Sequence, residues 1–331
     1  MNWVKVLGEK IEFPKNYEYY LNQGKSLMER GETREAVDFI EKAYTIKSDR
    51  ETNLVLVTVL YQVGEYEKAK NMAGEHLSLY QNDEQLYALY TSILIKNHDF
   101  LQAEKIIAIE KNKQNNQVSV TLWQSLAQSM EDEKESLERT KKNKQQQVLK
   151  NVFSMSNQSL EEQSKTFKET EILPPHLFLQ AAENILANPF VNGITKTTML
   201  QTLLSREIDT PFTLEWFNEK HIIIPKNLVP IQESKAVQAI EDILKEQLEN
   251  NNPVLYQIVS QEIYIHFMLL YPFIDEIITA PEEWVQLYID RYEEGQQNSY
   301  QENGSEQISK LAEWMLRLDN TIEELAQRPN S

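Results

Sequence analysis

The chain has 331 residues, 41% of them hydrophobic and 25% charged, a balance that suits about two globular domains and argues against disorder throughout. Only eight glycines and 11 prolines stand against abundant Leu, Glu, Gln, Lys and Ala, which favours helix over a turn-rich β architecture. The absence of cysteine excludes disulfides, zinc-thiolate sites, iron–sulfur clusters and thiol nucleophiles, and a net charge of -18 opposes contact with phosphate backbones and anionic membranes.

The charge is unevenly placed. Residues 1–130 carry -3, residues 131–171 carry -1, and residues 172–331 carry -14. We expect this acidic half to act chiefly as a solvated surface, with attraction of a basic protein segment as the sharper alternative. The start, Met1 to Phe13, bears Lys5, Glu9, Lys10 and Glu12 and does not read as a secretory leader. The longest apolar stretch, Ile263 to Ile274, is interrupted by His266 and Pro272 and is too short to span a bilayer. These features predict a soluble, cytoplasmic protein whose partner is neither nucleic acid nor membrane.

In chain order, the first signal is a repeat. Gly31-Glu32-Thr33-Arg34-Glu35-Ala36, Gly64-Glu65-Tyr66-Glu67-Lys68-Ala69 and His98-Asp99-Phe100-Leu101-Gln102-Ala103 each place an alanine shortly after a turn, and the alanines are 33 and 34 residues apart. Amphipathic runs flank each turn, such as Leu54, Val57, Leu60 and Tyr61 before the second, and Val37, Ile40, Ala43 and Tyr44 after the first. This predicts two helices and a tight turn per unit, over about residues 17–50, 50–83 and 84–117. A fourth, degenerate or capping pair is expected from 118, with helices at Val118 to Met130 and Lys134 to Phe153.

These segments resemble tetratricopeptide (TPR) repeats. In the first unit Tyr20, Gln23, Gly24, Leu27, Ala36, Ile40 and Ala43 stand in register with the family pattern; the second and third units diverge, with Val57 and Thr91 replacing the family glycine. Such replacements are expected to push the paired helices apart where they cross. Gly24, Ala36, Ala69 and Ala103 are the repeat-packing positions, because a larger side chain there prevents close approach. The resemblance implies a curved α-solenoid whose inner face, built from first helices, holds a peptide or helix of a partner. By register, Leu21, Lys25, Met28, Leu54, Thr58, Tyr61, Ser92 and Ile95 are the candidate partner-binding residues. The Lys, Asn and Arg set with which some TPR proteins clamp a terminal carboxylate is replaced by Leu21, Lys25, Gln85 and Leu89, so that clamp is not expected.

Residues 131–171 are polar and read as a solvated helix running into a linker. Beyond them an acidic helical domain is expected over 172–294. It has helices at Pro175 to Ala187, Thr195 to Arg206, Ser234 to Glu249, Pro253 to Tyr271 and Pro281 to Glu294, and a single β-hairpin near 211–224 turning at Asn218-Glu219. Tyr264, Phe267, Leu270, Tyr271, Phe273, Trp284 and Tyr288 are the expected aromatic core. A polar spacer and a last helix, Glu306 to Ala326, fill 295–331. The layout, with the Leu269-Leu270-Tyr271-Pro272-Phe273 stretch, resembles cytosolic TPR-containing proteins of low-GC Gram-positive bacteria. The expected fold class is therefore mainly α: a TPR-like solenoid followed by a mostly helical domain with one hairpin.

No catalytic, cofactor or metal constellation is legible. Gly24-Lys25-Ser26 imitates the tail of a phosphate-binding loop, but Tyr19 stands where a glycine is needed. Glu262 and His266, four residues apart, share a helix face and suit either an oriented imidazole or the start of a ligand pair; with no second ligand visible, a buried structural histidine is the expectation. Asp275-Glu276 and Glu282-Glu283 read as helix-start acids. The expectation is a non-enzymatic adaptor without a cofactor, and the alternative is a small-ligand or enzymatic module in the C-terminal half.

Overall fold

The computed structural model describes residues 16–113, 117–294 and 306–327. The leader question at residues 1–13 and the polar spacer lie outside the described residues. The chain divides into two compact units, residues 1–141 and 142–331.

The first unit contains α1 (Asn16–Glu29), α2 (Thr33–Ile46), α3 (Arg50–Gln62), α4 (Tyr66–Glu75), the short α5 (Leu77–Gln81), α6 (Glu84–Lys96), α7 (Phe100–Lys113) and the first part of α8 (Gln117–Phe153). The turns between the helices of each pair are built alike. Gly31, Gly64 and His98 adopt left-handed backbone, with φ of 79°, 82° and 62°. The residue after each donates its N–H back to the preceding helix: Glu32 to the Leu27 carbonyl at 2.9 Å, Glu65 to Leu60 at 2.9 Å and Asp99 to Leu94 at 2.8 Å. This closes the orphan carbonyls at a helix end, and glycine suits the position because a Cβ disfavours that backbone. Asp49 and Asp83, 34 residues apart, start the second and third first-helices by accepting from the backbone N–H of Thr52 and Leu86, each at 3.0 Å.

Ala36, Ala69 and Ala103 are completely buried within this unit's core, together with Ile40, Leu56, Leu60, Tyr80, Leu94 and Trp123. The helices pack closest in the first pair, where Gly24 faces Ile40; α3 and α4 approach along less of their length, and α6 and α7 less again. Val57 and Thr91, which stand in those later pairs where Gly24 stands in the first, are buried. The second repeat unit is tied together by Asn53, whose amide donates to the Met72 carbonyl at 2.8 Å and accepts from the Tyr80 hydroxyl at 2.9 Å.

The expected fourth pair takes another form. α8 is one uninterrupted helix of 37 residues, without a turn between Met130 and Lys134. Its first part buries Trp123, Leu126 and Met130 in the first core, and its last part buries Val148 and Val152 in the second. Neither glycine nor proline interrupts residues 117–153, so nothing in the chain stops the helix. The expected linker is also structured: α9 (Leu160–Glu169) starts with a reciprocal cap in which Ser159 and Glu162 each accept the other's backbone N–H.

The second unit continues with α10 (Pro175–Ala187), α11 (Gly193–Ser205), the antiparallel strands β1 (Phe212–Trp216) and β2 (Glu219–Ile223), α12 (Lys235–Leu244, extended by a π turn to Glu249), α13 (Pro253–Leu270), α14 (Ile274–Ile277), α15 (Pro281–Glu294) and α16 (Glu306–Gln327). Among the described residues this hairpin is the single strand pair. Its turn falls on Phe217 and Asn218, one residue earlier than expected, with φ of 47° and 66°; Glu215 Oε1 accepts the Asn218 N–H at 3.0 Å and holds it. Phe267, Leu270, Tyr271, Trp284 and Tyr288 are core residues as expected, whereas Phe273 is partly buried and Tyr264 is exposed. The core face of α13 is set by Val259, Ile263, His266, Phe267 and Leu270, and Tyr264 falls outside that stripe.

Candidate partner-binding face

The candidate face is formed by the first helices α1, α3 and α6. Met28, Leu54, Thr58, Tyr61 and Ser92 are half-buried, a placement that combines a fixed side chain with accessible surface. Leu21 and Ile95 are different: they are 7% and 1% exposed, belong to the core, and are withdrawn from the candidate surface. Thr58 and Ser92 direct their hydroxyls to the Leu54 and Ala88 carbonyls of their own helices, at 2.7 and 2.9 Å, so they present chiefly small, internally satisfied surface. The apolar anchors are Met28, Leu54 and Tyr61.

The cations here already have counterions. Lys25 pairs with Glu51 at 3.0 Å, and Lys96 pairs with Glu133 of α8. Exposed pairs of this type stabilise by about 0–1 kcal/mol, so they orient the lysines more than they hold the fold. The Tyr61 ring lies 5.6 Å from that of Tyr66, and burial pushes its phenol above the ordinary range, which keeps it neutral. Glu18 and Glu29 are exposed on α1. The face is thus apolar at its middle and acidic at one end.

No family model and no solved structure matches the chain. Over 98 residues, 30% of its length, the chain is 31% identical to the TPR repeat-containing protein YsoA of Bacillus subtilis (strain 168), and the match takes in 29% of that protein. The first unit is a TPR-like helical repeat. The chain therefore covers less than a third of this relative's length. At Gly24 there is no room for a side chain: a Cβ there would lie 2.2 Å from Ile40 Cδ1 and 2.6 Å from Cγ1.

In the second unit, Glu262 and His266 do not open onto solvent together. His266 is fully buried, and neither residue lines the 670 Å³ recess beside α14 and α16 or the 190 Å³ cavity around Lys196, Trp216 and Tyr271. Burial, and then the neighbouring Arg291 charge, push the imidazole down to about 3, so it is neutral. Its Nδ1 bonds the Tyr288 hydroxyl. Arg291 bridges Glu262 and Asp319, with Nη1 at 3.0 Å from Asp319 Oδ2. Burial works against the Arg291 charge, but Glu262 and Asp319 raise its pKa, while burial raises Asp319. Asp319 comes from α16, 53 residues beyond His266, and no sequence spacing announces it.

Lys196 and Glu215 form a second buried ion pair. Lys196 Nζ is 2.7 Å from both the Glu215 carboxylate and the Glu215 carbonyl, and burial pushes the lysine pKa down despite the carboxylate. Within the described residues, no helix is long and apolar enough to cross a membrane.

Proposed function

We propose that the TPR-like unit is an adaptor surface that holds an apolar peptide or amphipathic helix of another protein against α1, α3 and α6, without a catalytic role. The observation that supports this reading is the half-buried trio Met28, Leu54 and Tyr61, carried on first helices between lysines that are already paired. A flexible thioether and a rigid aromatic suit adaptable contacts with a helical segment, read as anchors one turn apart. The acidic end at Glu18 and Glu29 favours a segment with a basic flank, which ties affinity to ionic strength. A cytoplasmic setting and a second contact through the acidic second unit complete the proposal.

Affinity capture with the full chain and with a Met28→Ala/Tyr61→Ala variant tests it. The expected result is loss of specific prey from the variant while its circular dichroism stays unchanged. Identical prey lists move the function away from this face.

A further inference from the structure

Glu262 and His266 lie one turn apart on α13, and α16 brings Asp319 to them. One ligand atom from each of the three residues lies within 4.8 Å of the other two. His266 is 0% exposed, its Nδ1 is engaged by Tyr288, and its Nε2 has no hydrogen-bond partner. Asp319 Oδ1 lies 3.7 Å from that nitrogen. Native interiors seldom leave a buried polar atom unbonded without a reason.

The separation itself points to the missing partner. At 3.7 Å the two atoms are too far apart for a hydrogen bond, but this is the spacing of two donors that share one ion. Ligands about 2.1 Å from a metal, at an angle of about 120° to each other, stand about 3.6 Å apart. Donors on one such ion are at most about 4.2 Å apart, and the Glu262 carboxylate joins the other two within the 4.8 Å that encloses all three ligand atoms. The Tyr288 contact on Nδ1 is the kind of outer partner that fixes the orientation of a ligating imidazole.

We propose that Glu262, His266 and Asp319 bind one divalent first-row transition ion of the zinc or manganese type. One imidazole and two carboxylates suit these ions better than calcium, which takes six to eight oxygens, or magnesium, which keeps most of its water. The imidazole forms the floor of the site. Glu262 and Asp319 side chains are 20% and 28% exposed, so the ion enters from the carboxylate side. Arg291 is the competing cation: it serves the same two carboxylates, and binding of the ion withdraws it from Glu262 while Asp319 Oδ2 remains within its reach. The ion then fastens α16 to α13.

The test titrates the full chain with Zn²⁺ by calorimetry and with Co²⁺ by visible absorption. The expected result is one equivalent per chain, a Co²⁺ band from nitrogen and oxygen ligation, and a rise in Tm with Zn²⁺. His266→Gln and the near-isosteric Asp319→Asn abolish all three, and Arg291→Met, freed of the competing guanidinium, binds at least tenfold more tightly. This gain keeps the test decisive where a loss variant folds poorly. No equivalent bound by either the unaltered chain or Arg291→Met overturns the proposal, and so does Zn²⁺ stoichiometry unchanged in a folded His266→Gln chain.

Discussion

Replacement of Gly24 by alanine sets two physical effects against each other. Alanine within a helix is favoured over glycine by about 1 kcal/mol, so propensity alone predicts a more stable protein. Packing predicts the reverse, because the new methyl would stand 2.2 Å from Ile40 Cδ1, 2.6 Å from Cγ1 and 3.4 Å from the Ile40 backbone nitrogen. Ordinary carbon contacts are about 3.5–4.0 Å, so roughly 1.5 Å must be found. Ile40 is fully buried and its surroundings do not yield freely. Overpacking of this kind costs about 1–3 kcal/mol, and with two side-chain atoms and the backbone involved the upper end applies. The net expectation is a loss of about 2 kcal/mol after the propensity gain.

Urea denaturation of the full chain followed by circular dichroism measures this loss, and hydrogen exchange on peptides from residues 16–46 locates it. A double-mutant cycle with Ile40→Ala sharpens the test. Ile40→Ala alone loses about 2–5 kcal/mol through its cavity, and the Gly24→Ala methyl occupies part of that space. The double variant should therefore be more stable than the sum of the singles by about 2 kcal/mol. Stabilisation by Gly24→Ala with additive energies refutes the close approach of α1 and α2, and with it the reason for a glycine at this place.

Two further predictions concern charge. Lys196→Met leaves Glu215 buried without its cation and should lower stability by about 3–5 kcal/mol in denaturant titration, whereas Lys196→Met/Glu215→Leu should recover most of the loss; equal loss in both discounts the pair. Asp49→Ala removes the start of α3 and should cost about 1 kcal/mol at neutral pH. Hydrogen bonding by Lys47, and then by the Thr52 backbone, holds the Asp49 carboxyl down to about 2, below its unfolded value. Its contribution is therefore complete above about pH 4 and fades as the pH falls towards 2. The stability difference between the unaltered chain and Asp49→Ala should narrow over that interval, and a difference that widens instead removes the assigned role.

The repeat was legible because its physics is local. A turn that needs left-handed backbone, followed one helical turn later by an alanine where the helices meet, leaves a mark at a fixed interval; Gly31, Gly64 and the three alanines carry it. Asp49 and Asp83 repeat at the same interval and offered a further signal that the reading of the sequence passed over. The hairpin was legible from its alternating residues, although β-branched Ile222 and Ile223 did not reveal that Phe217 would enter the turn. The uninterrupted α8 was missed because a charged, solvated stretch was read as a break, while no residue there is able to stop a helix. The burial of Leu21 and Ile95 was missed for another reason: register with a family tells which way a side chain points, but not how the neighbouring helices close over it. The meeting of Asp319 with Glu262 and His266 depends on where α16 lies, and no short-range pattern encodes that.

The claim that first helices α1, α3 and α6 hold a partner is tested most directly by site-specific photocrosslinking in cells. A benzophenone amino acid replaces Thr58 on the candidate face in one chain and exposed Lys68 on α4 in another. The account predicts a discrete protein adduct from position 58, absent from position 68 and suppressed by Met28→Ala/Tyr61→Ala. Adducts of equal yield from both positions, or adducts from position 68 alone, contradict it.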